Sequence, residues 1–187
     1  MELVDGRKCG ECTVCCITTQ IDTQEFQKPP GIRCPHLCAE GGCSIYATRY
    51  RACREYHCGW RYLEFLSDNW RPDKSGVLLV FTPKNELPRG YATGVSFILV
   101  GRPPGAFARV LYHYVAHLIA DGVHVVLAVP GPPGEYPFVA FLNDELREAA
   151  LKHDHAGIEA VFAEALALDG EASGRFKKLV RDAGAKA

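Results

Sequence analysis

The chain has 187 residues, 48% of them hydrophobic, with 21 lysines and arginines against 22 aspartates and glutamates. That length suits one large domain or two small ones, and the apolar content is enough for a core. The balanced charge offers no footprint for nucleic acid or an anionic bilayer, and no apolar run reaches 18 residues, so neither is expected as a partner.

The first octet, Met1 to Lys8, is too short and too polar for a signal peptide. A cytoplasmic, reducing location is the expectation, and disulfides are rare there. All nine cysteines follow at once: Cys9, Cys12, Cys15, Cys16, Cys34, Cys38, Cys43, Cys53 and Cys58. An odd count also fits a disulfide scaffold poorly. Thiolates are soft anionic ligands, and at such spacing they select zinc or iron–sulfur chemistry.

Cys9-x2-Cys12-x2-Cys15 lets three sulfurs converge from one tight loop. The same spacing opens the bacterial ferredoxin run, whose fourth ligand precedes proline; here Pro35 follows Cys34 after a longer gap. Cys38, Cys43, Cys53 and Cys58 form a second quartet by spacing, C-x4-C-x9-C-x4-C, in the manner of structural zinc sites. Gly41-Gly42 frees the backbone to turn before Cys43. Cys16 is left over. It can be the ligand of a second centre, a bridge in a polynuclear cluster, or a free thiol. Nine or eight thiolates exceed one tetrahedral site, so at least two zinc or iron ions are expected. Arg33, Arg49, Arg51, Arg54 and Arg61 neighbour these cysteines and are either charge compensation or ordinary surface residues. His36 and His57 are secondary ligand candidates.

Composition changes near Trp70-Arg71-Pro72-Asp73-Lys74-Ser75-Gly76. The expected division is a cysteine-cluster module over 1–70 and an α+β layer over 76–187, forming one compact unit. Strands are predicted over Val77–Thr82 and Tyr91–Val100. Ala106–Ala120 reads as a helix apolar nearly all round, hence buried. Val123–Val129 and Tyr136–Leu142 read as a hairpin across a Pro-Gly loop. Asn143 reads as the N-cap of a helix running from Asp144 to Leu168, with a break near Gly157. The tail from Arg175 to Arg181 reads as a further basic turn. The fold class is therefore α+β: a cysteine-rich module on a small antiparallel or mixed sheet with two main helices.

The blocks Cys9-x2-Cys12-x2-Cys15-Cys16, Cys34-Pro35-His36-Leu37, Cys43-Ser44-Ile45-Tyr46 and Cys53-Arg54-Glu55-Tyr56-His57-Cys58-Gly59-Trp60 occur in this order. They resemble the CxxCxxCC cysteine-cluster family, described as zinc- or iron-chelating. The resemblance spans about residues 7–66 and implies that the cysteines are metal ligands. Tyr50 departs from the family's usual proline. Some relatives are flagellin lysine methylases, and no residue here carries that activity over.

Elsewhere, His113 and His117 lie at i and i+4, but Tyr114 stands where a zincin glutamate would be, so they are read as hydrogen-bonded interior or interface residues of a buried helix that bind no metal. His153-Asp154-His155 reads as exposed helix. Gly101-Arg102-Pro103-Pro104-Gly105 is a weak anion-loop candidate. No phosphate-binding loop, dinucleotide fingerprint or nucleophile elbow is present, and no catalytic residue is assigned. Three functions stay open: a thiolate metal protein holding zinc or iron structurally or as cargo, an iron–sulfur or cysteine-dependent redox or group-transfer enzyme, and a zinc-scaffolded interaction module.

Overall fold

The computed structural model describes residues 2–101, 103–166 and 177–178. The cysteine-rich end is built from short pieces. Helix α1 (Val14–Thr18) leads into a two-stranded antiparallel ribbon, β1 (Ile21–Asp22) and β2 (Gln27–Lys28), in which Ile21 faces Lys28. Two short helices follow, α2 (Arg51–Glu55) and α3 (Gly59–Tyr62), then α4 (Pro72–Ser75). Such pieces do not hold themselves, since isolated helices of one turn are unstable in water.

The remainder is a mixed sheet under helices, which makes the fold α+β. Its strands are β3 (Val77–Phe81), β4 (Gly94–Leu99), β5 (His124–Val129), β6 (Phe138–Phe141) and the two-residue β7 (Lys177–Lys178), adjacent in that order. β3 and β4 are antiparallel, with Val77 opposite Leu99. β4 and β5 are parallel, so the chain must cross over, and α5 (Gly105–Ala120) makes the crossing. β5 and β6 form the expected hairpin, Val126 opposite Phe141. β5 is central, and its first five residues are all buried, which explains a continuous apolar run rather than an alternating one. Helices α6 (Asn143–Leu151) and α7 (His155–Leu166) pack with α5. Phe97, Leu111, Val115, Leu127, Leu146 and Phe162 fill the core between helices and sheet.

Four expectations change. α5 is not buried all round: Leu111, Val115, Ala116 and Ile119 face the core, while Val110 is 49% exposed. The helices form one layer on this face, so α5 keeps an outer side. The break between α6 and α7 falls at Lys152–Asp154, not at Gly157. His153 takes φ 53°, and the Asp154 carboxylate accepts the Gly157 N–H at 3.0 Å, which caps α7. Of the predicted basic turn, Lys177–Lys178 is extended and pairs with Phe138–Val139; the rest lies outside the described residues. Asn143 is the first residue of α6 and caps nothing. Its amide instead bridges a strand, accepting from Val125 N–H at 2.8 Å and donating to Val123 O at 2.7 Å.

The composition change near Trp70 is not a packing boundary. Trp60, Leu66 and Trp70 belong to the same core as the sheet residues. Trp70 packs edge-on against Phe107 and Tyr114 of α5. A Cβ on Gly59 would stand 2.5 Å from Leu79 Cδ2, so α3 lies directly on β3. No helix among the described residues is long and apolar enough to cross a membrane.

Replacing Asn143 with alanine leaves the buried Val125 N–H without a partner. A loss of about 1–3 kcal/mol is expected, read by chemical denaturation. An unchanged midpoint would mean that the bridge contributes nothing.

Candidate metal centre

Local backbone geometry sets the direction of each sulfur. Cys12 N–H donates to Cys9 O at 3.0 Å, closing the first turn. α1 then carries Cys15 and Cys16 on successive positions, about 100° apart around the helix axis. Cys34 N–H donates to Cys16 O at 3.0 Å and brings the second block alongside. An antiparallel bridge joins Leu37 to Cys43. The loop between them turns at Gly41 and Gly42, with φ 92° and 78°, values that a side chain would oppose. Cys53 lies in α2, and Cys58 immediately precedes α3.

Seven of the nine cysteines, all but Cys38 and Cys58, line one cavity of about 380 Å³. Electrostatic contacts sort eight sulfurs into two groups. Cys9, Cys12, Cys15 and Cys58 act on one another, and Tyr56 faces Cys15, Cys58 and Cys9 together. Cys53 faces Cys34, Cys16 and Cys43. A hydrogen bond between Cys15 and Cys16 links the groups. All nine cysteines are free. Among the described residues no three Cys, His, Asp or Glu side chains are already closed into a metal-holding geometry.

This grouping differs from the quartets read off spacing. Cys58 joins the first run, and Cys16 joins Cys34, Cys43 and Cys53. Cys38 stays outside the cavity: its N–H donates to Gly42 O at 3.1 Å, and its carbonyl accepts from Arg33 Nη2 at 2.6 Å. The cause is the α1 register, which points adjacent cysteines in different directions, and the contact between the Cys58 segment and the N-terminus. Arg7 donates to the carbonyls of Trp60, Leu63, Glu64 and Leu66, and Val4 N–H donates to Arg61 O at 2.9 Å.

Cations stand beside both groups of sulfurs. Lys28 is only 3% exposed, and its Nζ donates to Ile17 O, Pro29 O and Ile32 O at 2.9, 3.1 and 2.9 Å. Burial lowers its pKa from the usual ammonium value, while Cys34, Cys16, Cys15 and Cys53 hold it up. Its position in the alternating β2 ribbon gave no sign of this role. Of the five nearby arginines, Arg49 and Arg61 reach the sulfurs. Arg49 acts on Cys16 and Cys53, and Arg61 Nη1 donates to Cys9 Sγ at 3.6 Å. Arg51 pairs with Glu55 at the surface, and Arg54 donates to the Arg49 carbonyl.

Burial pushes the Cys12 thiol up to about 11, against backbone N–H groups of Val14 and Asp73 that favour its thiolate. Burial also raises Cys58, while the N–H groups of Arg61 and Trp60 point at its sulfur. The Cys15 hydrogen bond, followed by Lys28 and Arg49 acting against burial, lowers Cys16 to about 6. The same bond, with burial, raises Cys15.

A metal fits this donor set. The Tyr56 hydroxyl and Arg61 Nε are buried and have no hydrogen-bond partner among the described residues, and both residues line the cavity. They are donors, which deprotonated, metal-bound sulfurs would satisfy and an apolar filling would not.

His36 and His57 also line the cavity, but His36 Nε2 lies 3.3 Å from the Tyr50 hydroxyl, and His57 packs edge-on against Tyr62. Tyr50 stacks on Phe26 with centroids 4.5 Å apart and takes φ −51°, within the range a proline would impose. His113 meets His155, Nδ1 to Nδ1 at 3.1 Å, and His117 pairs with Asp121 at 3.4 Å. His117 is exposed, contrary to the interior position expected for it. Arg102 of the anion-loop candidate lies outside the described residues. No family model matches the chain, and no curated protein or solved structure matches it.

In the metal-free chain, Cys16 is expected to alkylate before the other cysteines, half-maximally near pH 6. Reactivity falls below that pH as the thiolate takes up a proton. Lys28→Met removes a cation and moves the midpoint upward. Iodoacetamide mapping by mass spectrometry across pH checks both; a Cys16 midpoint near the ordinary thiol value of about 8.5 would contradict the first.

Proposed function

We propose that this chain is a thiolate metal-binding protein of the cysteine-cluster type, holding at least two zinc or iron ions as structural metal or cargo in a reducing compartment such as the cytoplasm. The observation that carries this reading is the buried Lys28 ammonium among cysteine sulfurs. A buried cation is costly unless anions face it. Among the described residues Lys28 forms no ion pair with a carboxylate. Its charge is compensated when the sulfurs of Cys16, Cys34 and Cys53 are thiolates, which is the state a metal ligand must have.

Cys9, Cys12, Cys15 and Cys58 would hold one centre, and Cys16, Cys34, Cys43 and Cys53 the other. Backbone N–H groups at Cys12 and Cys58, together with Arg61, offset negative charge at the first. Lys28 and Arg49 do so at the second. A bound zinc or iron ion supplies Lewis acidity and folding energy, the latter about 10–16 kcal/mol of apparent binding in small zinc peptides. Four thiolates leave zinc no open position, which favours a structural or carried metal over a hydrolytic one.

Elemental analysis of anaerobically purified protein should find at least two equivalents of zinc or iron. Cys53→Ser should lose one, and Cys38→Ser none. A colourless preparation identifies zinc, and broad visible absorption identifies an iron–sulfur centre. Less than one equivalent in total would refute the metal-binding reading.

A further inference from the structure

The two groups of sulfurs differ in what they are fastened to. The first is tied into the main core. Cys58 packs against that core, and the next two residues, Gly59 and Trp60, are buried under β3. Cys12 faces Asp73 in α4, and Gly76, which ends α4, leads directly into β3. The four carbonyls that Arg7 holds lie in the segment that carries Trp60 and Leu66 into the core. Opening the first group means separating Cys9–Cys15 from residues 58–73, which disturbs the core itself.

The second group has no such anchor. No residue from Cys16 to Cys53 belongs to the core clusters of the sheet. Cys16 and Cys53 lie in the five-residue helices α1 and α2, neither of which has a buried residue, and the backbone around Cys34 and Cys43 is a two-residue ribbon, one isolated bridge and short turns. This end touches the loop between β5 and β6, where Gly134 N–H donates to Pro30 O at 2.9 Å and Gly31 lies beside Pro133. Ile17, Ile32 and Tyr46 are exposed around it. What keeps this end in shape without a core is Lys28 drawing Ile17, Pro29 and Ile32 together, and Phe26 stacked on Tyr50.

We propose that the centres divide labour. Cys9, Cys12, Cys15 and Cys58 hold a metal that stays for the life of the fold, whereas Cys16, Cys34, Cys43 and Cys53 hold an exchangeable zinc-like dication that the protein takes up and releases. This rests on the metal-binding reading above. Release is ligand exchange without electron transfer: donors of an acceptor molecule replace four thiolates, and Lys28 and Arg49 remain to face the freed sulfurs. Local opening of a loop cluster costs far less than opening a shared core, so the two ions leave on separate timescales.

The test uses the full chain loaded with zinc and challenged with a chromophoric chelator, with hydrogen exchange followed in parallel. One equivalent should leave at least about 100-fold faster than the other, and during that phase only residues 17–53 should lose protection. Cys34→Ser should remove the fast equivalent, keep the slow one and leave the sheet protected. Arg7→Ala should accelerate the slow phase and leave the fast rate unchanged. Release of both ions in one phase, or loss of both from Cys34→Ser, overturns the division of labour while leaving metal binding intact. A starting protein that takes up less than one zinc overturns both.

Discussion

Lys28 donates all three of its ammonium protons to carbonyls of its own loop, and the groups left to answer its charge are cysteine sulfurs. This constraint orders the cysteine-rich end. An ammonium in that position demands anions, and thiolates brought together demand cations or a metal. The loop from Ile17 to Ile32 and the Cys34 block are therefore held by hydrogen bonds and charge where a larger domain would use apolar burial.

The core explains why the N-terminal region is not a separate body. Trp60, Leu66 and Trp70 lie next to the cysteine blocks in sequence but pack with Phe97, Leu111 and Val115. Arg7 reinforces this by clamping successive carbonyls of the same segment. One side of the cavity thus rests on the sheet, and the other rests on short turns. The asymmetry comes from where the apolar residues stand: they begin at Gly59-Trp60, directly after the last cysteine.

The chemistry around the two groups reflects that placement. Half-buried Cys12 and Cys58 are answered by backbone N–H groups at the starts of α1, α3 and α4, which are fixed dipoles, with the Arg61 side chain on Cys9 beside them. Cys16 and Cys53 are answered by the side-chain cations of Lys28 and Arg49. Dipoles built into a packed backbone do not move when a ligand leaves, and side-chain cations can adjust. The proposed permanent and exchangeable roles follow this difference.

Sequence alone determined the fold class, the main strands, α5 and the gathering of soft cysteine donors in the first third. Apolar periodicity is local, and soft-ligand chemistry depends only on residue type. Val77–Phe81, His124–Val129 and Gly105–Ala120 were legible for that reason. Which sulfurs face one another was not, because spacing along the chain says nothing about the direction in which a helix presents neighbours such as Cys15 and Cys16. The same holds for Lys28, an unremarkable residue of a polar stretch, and for Asn143, whose cap-like setting concealed a bridge to β5. Their roles exist only once distant segments meet, and that meeting is decided by the Arg7 clamp and the burial of Trp60, both long-range events that only the tertiary structure contains.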